Sequence, residues 1–360
     1  MTRLSAVLIG FLMGAASAAG ACGFHNYVPQ PTMVDRLIES EHVVLVRQDP
    51  ANPFRYKVVE DLSGMDADAD IPNLVDSITR RRLARSQDDV VLFAREGAYG
   101  PWLRVAYIDS AMQPVLRSVL DQLPEWRLGE DAGRFRTFAE LLNHPDPVVG
   151  KLALRELDRA DYGFLVSHKL QVDTGRILSR IDDRAEMDLR AIRVLLLGIA
   201  GGDAARDYLI RGMHRSAQLE STLLGAFATA MIEMDGPESV RTIAETYLSG
   251  PAYSAATQEM IVEALALHSQ YGDETMQSAV AEAMDHALQA APHLAPAVAR
   301  QFGARGVWSQ SDTLSSLVRN GSVRSMADVL TVSQYIALAE GVSARSGMGD
   351  DVSPESGVFE

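Results

Sequence analysis

The spacing of hydrophobic positions along this chain changes from two residues to about 3.6 near Trp126. Over residues 33–40, Val34, Leu37 and Ile38 share one side, which predicts a short helix. Residues 42–48 carry Val43-Val44-Leu45-Val46, apolar on both faces, so a central strand is expected there. The turn-rich Asp49-Pro50-Ala51-Asn52-Pro53 leads into residues 54–60, where Phe54, Tyr56 and Val58 alternate with Arg55 and Lys57. These two strands predict a hairpin. A second pair is expected over 90–94 and 102–108, the latter aligning Leu103, Val105 and Tyr107, with a loop of turn residues over 96–101. With a helical or irregular stretch over 74–85 between the pairs, four strands fit a small barrel or curled sheet.

Beyond Trp126 the strand signals stop. Residues 131–143 predict a helix, which His144-Pro145-Asp146-Pro147 breaks. Residues 148–160 predict another, with Val149, Leu152, Ala153 and Leu157 at helical spacing. Strongly apolar helices are then expected over 186–200, 219–234 and 256–268. They begin roughly 31 to 43 residues apart, with amphipathic helices before or between them, a period that indicates stacked helical hairpins. A generic helical bundle is the alternative. Gly198-Ile199-Ala200-Gly201-Gly202 follows a helix rather than a strand, so a helix end and turn are expected instead of a nucleotide loop. Ser325-Met326-Ala327-Asp328 has the form of a capping box opening a last helix through Ala339. Residues 343–360, rich in Gly, Ser and acid, are expected to form a disordered tail.

The expectation is therefore an α+β chain of two domains. A small β-rich domain over 22–125 precedes an all-α repeat domain over 130–342, joined near Pro124-Glu125-Trp126-Arg127-Leu128-Gly129. Two resemblances sharpen this. The Val-Val-Leu-Val strand, the strand end Tyr56-Lys57-Val58-Val59-Glu60-Asp61-Leu62-Ser63-Gly64 and Val90-Val91-Leu92-Phe93-Ala94, after an opening cysteine, resemble netrin-like domains. That resemblance implies an OB-type β-barrel. The disulfides usual in that family cannot form here, so it implies no inhibitory function. The segment Leu141-Leu142-Asn143-His144-Pro145-Asp146-Pro147-Val148-Val149, followed by Leu152-Ala153-Leu154-Arg155-Glu156-Leu157, resembles a HEAT-type repeat. It implies an α-solenoid.

The first residues add a compartment. A charged start at Arg3, an apolar run from Leu4 to Met13 and small residues up to Ala21 follow the order of a secretory signal peptide, expected over 1–21. The run is too short and too rich in Ala and Gly for a membrane span. The mature protein is thus expected to be periplasmic or otherwise secreted. Cleavage before Ala19 or before Cys22 fits the small-x-small rule. The second choice makes Cys22 the mature N-terminus, with three readings: a lipidation site resembling bacterial lipoprotein signals, a soft-metal site with His25, or a free thiol. Ala19 stands where lipoprotein signals usually have Leu. One cysteine excludes an intramolecular disulfide.

Charge narrows the partners. The 48 acidic residues against 33 Lys and Arg repel phosphate backbones, and the one basic cluster, Arg80-Arg81-Arg82, fits a solvated helix face. Nucleic acid is not expected as a partner, and membrane only if Cys22 is lipidated. Among chemical motifs, no His-Glu-x-x-His, phosphate loop or Gly-x-Ser-x-Gly is present. Asp66-Ala67-Asp68-Ala69-Asp70 begins like a calcium loop, but Ile71 replaces its Gly and Ser77 its bidentate Glu. The closest histidines of the helical half, His286 and His293, flank Pro292 without a carboxylate at ligand spacing. His268, ending an apolar helix, is expected to hydrogen-bond a helix C-terminal carbonyl rather than to perform catalysis. Tyr99 and Trp102 flank a hairpin tip as candidate binding anchors, with inward packing of Trp102 as the other reading.

These readings predict a non-catalytic extracytoplasmic protein that binds other proteins, without a cofactor and with no catalytic residue assigned. A copper- or zinc-handling protein using Cys22 and His25 is the second reading, and a hydrolase with dispersed residues the third.

Overall fold

The computed structural model describes residues 27–65, 67–250 and 252–347. It is a mixed α+β fold: one four-stranded antiparallel sheet, then helices to the end of the described chain. Helix α1, Met33–Glu39, opens on a capping box in which Thr32 Oγ1 accepts from Asp35 N at 3.1 Å and Asp35 accepts from Thr32 N at 2.7 Å. Strands β1 (His42–Gln48) and β2 (Tyr56–Asp61) form the first expected hairpin. Helix α2, Ser77–Leu83, precedes the second, β3 (Val90–Arg95) with β4 (Leu103–Ile108).

The sheet order is β2-β1-β3-β4, so β1 is central, as its two-sided apolarity predicts. Val43 and Leu45 pack with Leu92 and Ala94 under α1, while Val44 and Val46 join Val91, Phe93 and Tyr56 on the opposite face with Ile71 and Leu83. Of the two expected forms, the barrel is not realised among the described residues. The sheet is open, with β2 and β4 at its edges, because helices and loops cover both faces and closure is not needed to bury them.

Helix α3, Met112–Arg127, was not expected, and its end occupies the proposed joint. Its Val115, Leu116, Val119, Leu123 and Trp126 are buried at helical spacing. They share one core with the sheet and with Phe138, Val149 and Leu152 of the next two helices. Those helices are α4 (Asp131–Glu140) and α5 (Pro147–Leu157), the latter capped by Asp146 with Pro147 in its first turn. A short α6 (Tyr162–Ser167) and α7 (Thr174–Arg180) lead through a 3₁₀ segment, Arg184–Leu189, into α8 (Arg190–Ala200).

From here the chain forms successive helices: α9 (Asp203–Gln218), α10 (Leu224–Asp235), α11 (Pro237–Tyr247), α12 (Ala255–Tyr271) and α13 (Glu274–Ala290). A 3₁₀ turn, Pro292–Leu294, precedes α14 (Ala295–Ala304), α15 (Ser311–Arg319) and α16 (Met326–Gly347). Gly201, at φ +71°, makes the turn expected after α8. Helix α10 packs between α8 and α12, α12 reaches α14, and α14 reaches α16, while α11 packs on α13. The last helix runs past Ala339 to Gly347, so residues 343–347, expected in the tail, are helical; Ser343 donates to the Ala339 carbonyl at 3.1 Å. Residues 1–26, with the expected signal peptide, Cys22 and His25, lie outside the described residues, as do Asp66 and 348–360.

Candidate functional site

Helix α9 is seated on α10 with both flanks open to clefts. On one flank its Arg206, Ile210 and Met213, spaced four and three residues apart, line a groove of about 610 Å³ completed by α10 and α11. The floor is apolar: Met213, Met231, Ile243 and Tyr247 are buried there. Ile210 stands half-exposed at the rim beside Thr242 and Thr246. An ion pair crosses one end, where Arg206 Nη1 donates to Asp235 Oδ2 at 2.8 Å. Burial raises the pKa of Tyr247, as does the neighbouring Tyr253, whose ring lies 5.1 Å away, so the phenol stays protonated at neutral pH. Unbranched methionine side chains on such a floor reshape readily to different apolar shapes. The chemistry offered is apolar burial framed by hydroxyls and one ion pair.

A second feature is buried between α6, α10 and α12. His268 Nδ1 donates to the Ala264 carbonyl one turn back at 2.8 Å, inside α12 rather than at the expected C-terminal carbonyl, because the helix runs on to Tyr271. Its Nε2 lies 2.8 Å from Tyr162 Oη and 3.3 Å from Glu233 Oε1, and Tyr162 donates to the same carboxylate. Burial pushes the Tyr162 phenol well above 10.0, and the Glu233 charge adds to it, so Tyr162 serves as a donor rather than a nucleophile. Burial raises the Glu233 pKa, but the hydrogen bonds from His268 and Tyr162 outweigh it and hold this carboxyl below its ordinary value. None of the three lines the clefts flanking α9. Their evident role is to hold three helices together through one satisfied polar cluster. The partners, 106 positions apart in the case of Tyr162 and His268, carry no local sequence signal.

The expected site residues fare differently. Tyr99 is fully exposed at the β3–β4 loop, whereas Trp102 is buried, with Arg95 Cζ 4.6 Å above its ring. The structure does not bring them together as one exposed pair. Arg80-Arg81-Arg82 lies on α2, with Arg80 over Phe54 and Arg82 3.6 Å from the Tyr107 ring centroid. Asp70 of the acidic loop pairs with Arg55 at 2.9 Å. His293 bonds the Gln258 amide oxygen at 2.8 Å. Among the described residues, no three His, Cys, Asp or Glu side chains are placed to hold a metal, and no helix is long and apolar enough to cross a membrane.

The groove itself escaped sequence reading. Met231 and Met234 stand out in α10, but Met213 and Ile243 join them only through packing of α9 and α11. No family model, curated protein or solved structure matches the chain.

Proposed function

We propose that this is a non-catalytic, extracytoplasmic protein whose helical part is a HEAT-like solenoid that binds other proteins through the groove between α9, α10 and α11. The observation that carries the reading is that groove: an apolar, methionine-lined floor with a half-exposed Ile210 on its rim. An amphipathic helix or apolar side chains of a partner fit such a surface. The solenoid reading is supported by the packing of α8, α10, α12, α14 and α16 in succession, with α11 packing on α13. The sheet-bearing part supplies a second contact or positions the first. Export is supported by the charged, apolar and small-residue order of residues 1–21.

The test is affinity capture from the envelope fraction with the wild-type protein and with an Ile210→Asp/Thr242→Lys variant. Both positions are exposed, so the fold is retained. A reproducible protein partner captured by the wild type and lost with the variant is expected. A partner set unchanged by the variant, or none, overturns the groove reading. Metal analysis of the same sample addresses the second reading: stoichiometric copper or zinc lost on Cys22→Ser overturns the non-metal scaffold.

A further inference from the structure

We propose that the cleft on the other flank of α9 binds a small organic molecule bearing a doubly charged oxyanion group. This cleft, about 620 Å³, is lined by Arg190 of α8, by Tyr208, Arg211 and Arg215 of α9, and by Ser216 and Ser221 near the α9–α10 turn. Its volume falls within the range of small-molecule sites.

Charge is the first argument. Three guanidinium groups line the cleft against one carboxylate, Asp182, and that carboxylate is held by Arg190 at 2.9 Å. Arg190 also donates to Tyr208 Oη at 3.0 Å, which fixes the phenol beside it. Arg211 and Arg215 are exposed and make no ion pair among the described residues. They stand one turn apart on the same helix face, where like charges repel. This occurs in a chain whose acidic residues outnumber its basic ones by 48 to 33. An uncompensated cationic pair in so acidic a protein fits an anion from outside the chain.

Shape is the second. Apolar Leu219, Leu223 and Phe227 share the lining with these cations. Helix α9 approaches this floor closely through Gly212, where a Cβ would lie 2.2 Å from Phe227 Cε1. Guanidinium forks take phosphate or carboxylate oxygens in pairs, and the hydroxyls of Ser216 and Ser221 supply further donors. Inorganic phosphate alone would leave the apolar part unfilled. An anionic head on an apolar body uses both.

Calorimetric titration of the full protein with phenyl phosphate, phthalate and inorganic phosphate tests this. Phenyl phosphate or phthalate is expected to bind with a dissociation constant of roughly 1 mM or tighter. Whichever of the two is tighter identifies the head group, and inorganic phosphate binds more weakly. An Arg211→Gln/Arg215→Gln variant is expected to lose about tenfold or more in affinity with an unchanged thermal midpoint in the absence of ligand. An Arg319→Gln control, altering an exposed arginine on α15, leaves binding intact. Absence of saturable binding by both organic anions overturns the proposal, as does affinity unchanged in the double variant. Inorganic phosphate matching the organic probes overturns the role of the apolar floor. The cleft and the partner groove lie on opposite flanks of α9, so either experiment can fail alone.

Discussion

Arg134 and Asp35 form a buried ion pair, Nη2 to Oδ1 at 2.8 Å, that ties α4 to α1 across 99 positions of sequence. The same guanidinium donates from Nε to Glu156 Oε2 on α5 at 2.7 Å, and Arg159 reaches Asp35 at 3.2 Å. Burial raises the Glu156 pKa, and Arg134 opposes that rise. The sheet-side helix is therefore fastened to the helices that follow by a buried charge cluster in which Thr32 also takes part, bonding both Asp35 and Arg134.

Removing the cation should expose the cost of this arrangement. Arg134→Met leaves Glu156 without its cation and Asp35 with only Arg159, and a loss of about 3–5 kcal/mol is expected at neutral pH. A carboxyl whose folded pKa lies above its unfolded value penalises the fold at high pH and is relieved as pH falls through that folded value. The deficit of the variant should accordingly be smaller at mildly acidic than at neutral pH. Urea unfolding midpoints of both proteins at the two pH values check this, and a pH-independent deficit contradicts it.

Asp76 gives the opposite sign. Thr79 holds its carboxylate well below the usual range, through the hydroxyl at 2.6 Å and the amide at 2.8 Å, with Arg104 at 2.7 Å assisting against a burial penalty. A depressed folded pKa contributes stability above the unfolded value of 3.8 that declines as pH falls toward the folded value. Asp76→Ala, which removes the α2 N-cap, should cost about 1 kcal/mol at neutral pH. The gap from wild type should narrow below about pH 4, as measured by thermal unfolding.

How far the sequence foretold this molecule depends on the distance over which each feature is encoded. The strands were legible because the continuous apolar run Val43 to Val46 and the alternation from Tyr56 to Val58 are each written within a few residues. Helix α3 was missed although Val115, Leu116, Val119 and Leu123 have helical spacing, because Pro124 sits in its last turn and reads as a break. That His268 bonds a carbonyl of its own helix was legible, although the carbonyl is the interior Ala264 and not a C-terminal one, while its bond to Tyr162 was not legible. Both clefts beside α9 depend on how three helices seat against one another, and no short motif records that.

Three tyrosines should ionise late. Burial pushes Tyr335 up to about 12; for Tyr107, also up to about 12, burial is joined by the Asp89 carboxylate that accepts its hydrogen bond at 2.6 Å. Tyr162 lies well above 10.0. A raised folded pKa keeps stability whole below pH 10 and erodes it as pH climbs toward the folded value. Near-ultraviolet absorbance should therefore show a subset of the ten tyrosines titrating only as the protein unfolds in alkali. Tyr335→Phe should lose about 1 kcal/mol at neutral pH, through its bond to the Val307 carbonyl at 2.7 Å, and flatten the alkaline decline.

A helix contact made against another helix's backbone should be the least forgiving of an added methyl. Helices α8 and α10 meet where Gly198 faces Ala230, and a Cβ at Gly198 would lie 2.4 Å from the Ala230 carbonyl oxygen and 2.6 Å from its Cα. Those atoms are backbone, so no rotamer change relieves the clash and the helices must separate. Gly198→Ala should destabilise by about 1–3 kcal/mol despite the roughly 1 kcal/mol by which alanine favours a helix. A second substitution, Ala230→Gly, should not rescue it, since the offending atoms remain. Gly341 on α16 provides the contrast, because nothing lies within 4 Å of the Cβ it would gain. Gly341→Ala should stabilise by up to about 1 kcal/mol. Opposite shifts of the urea midpoint for these two substitutions would locate the effect in the α8–α10 contact, whereas equal shifts would trace it to helix propensity alone.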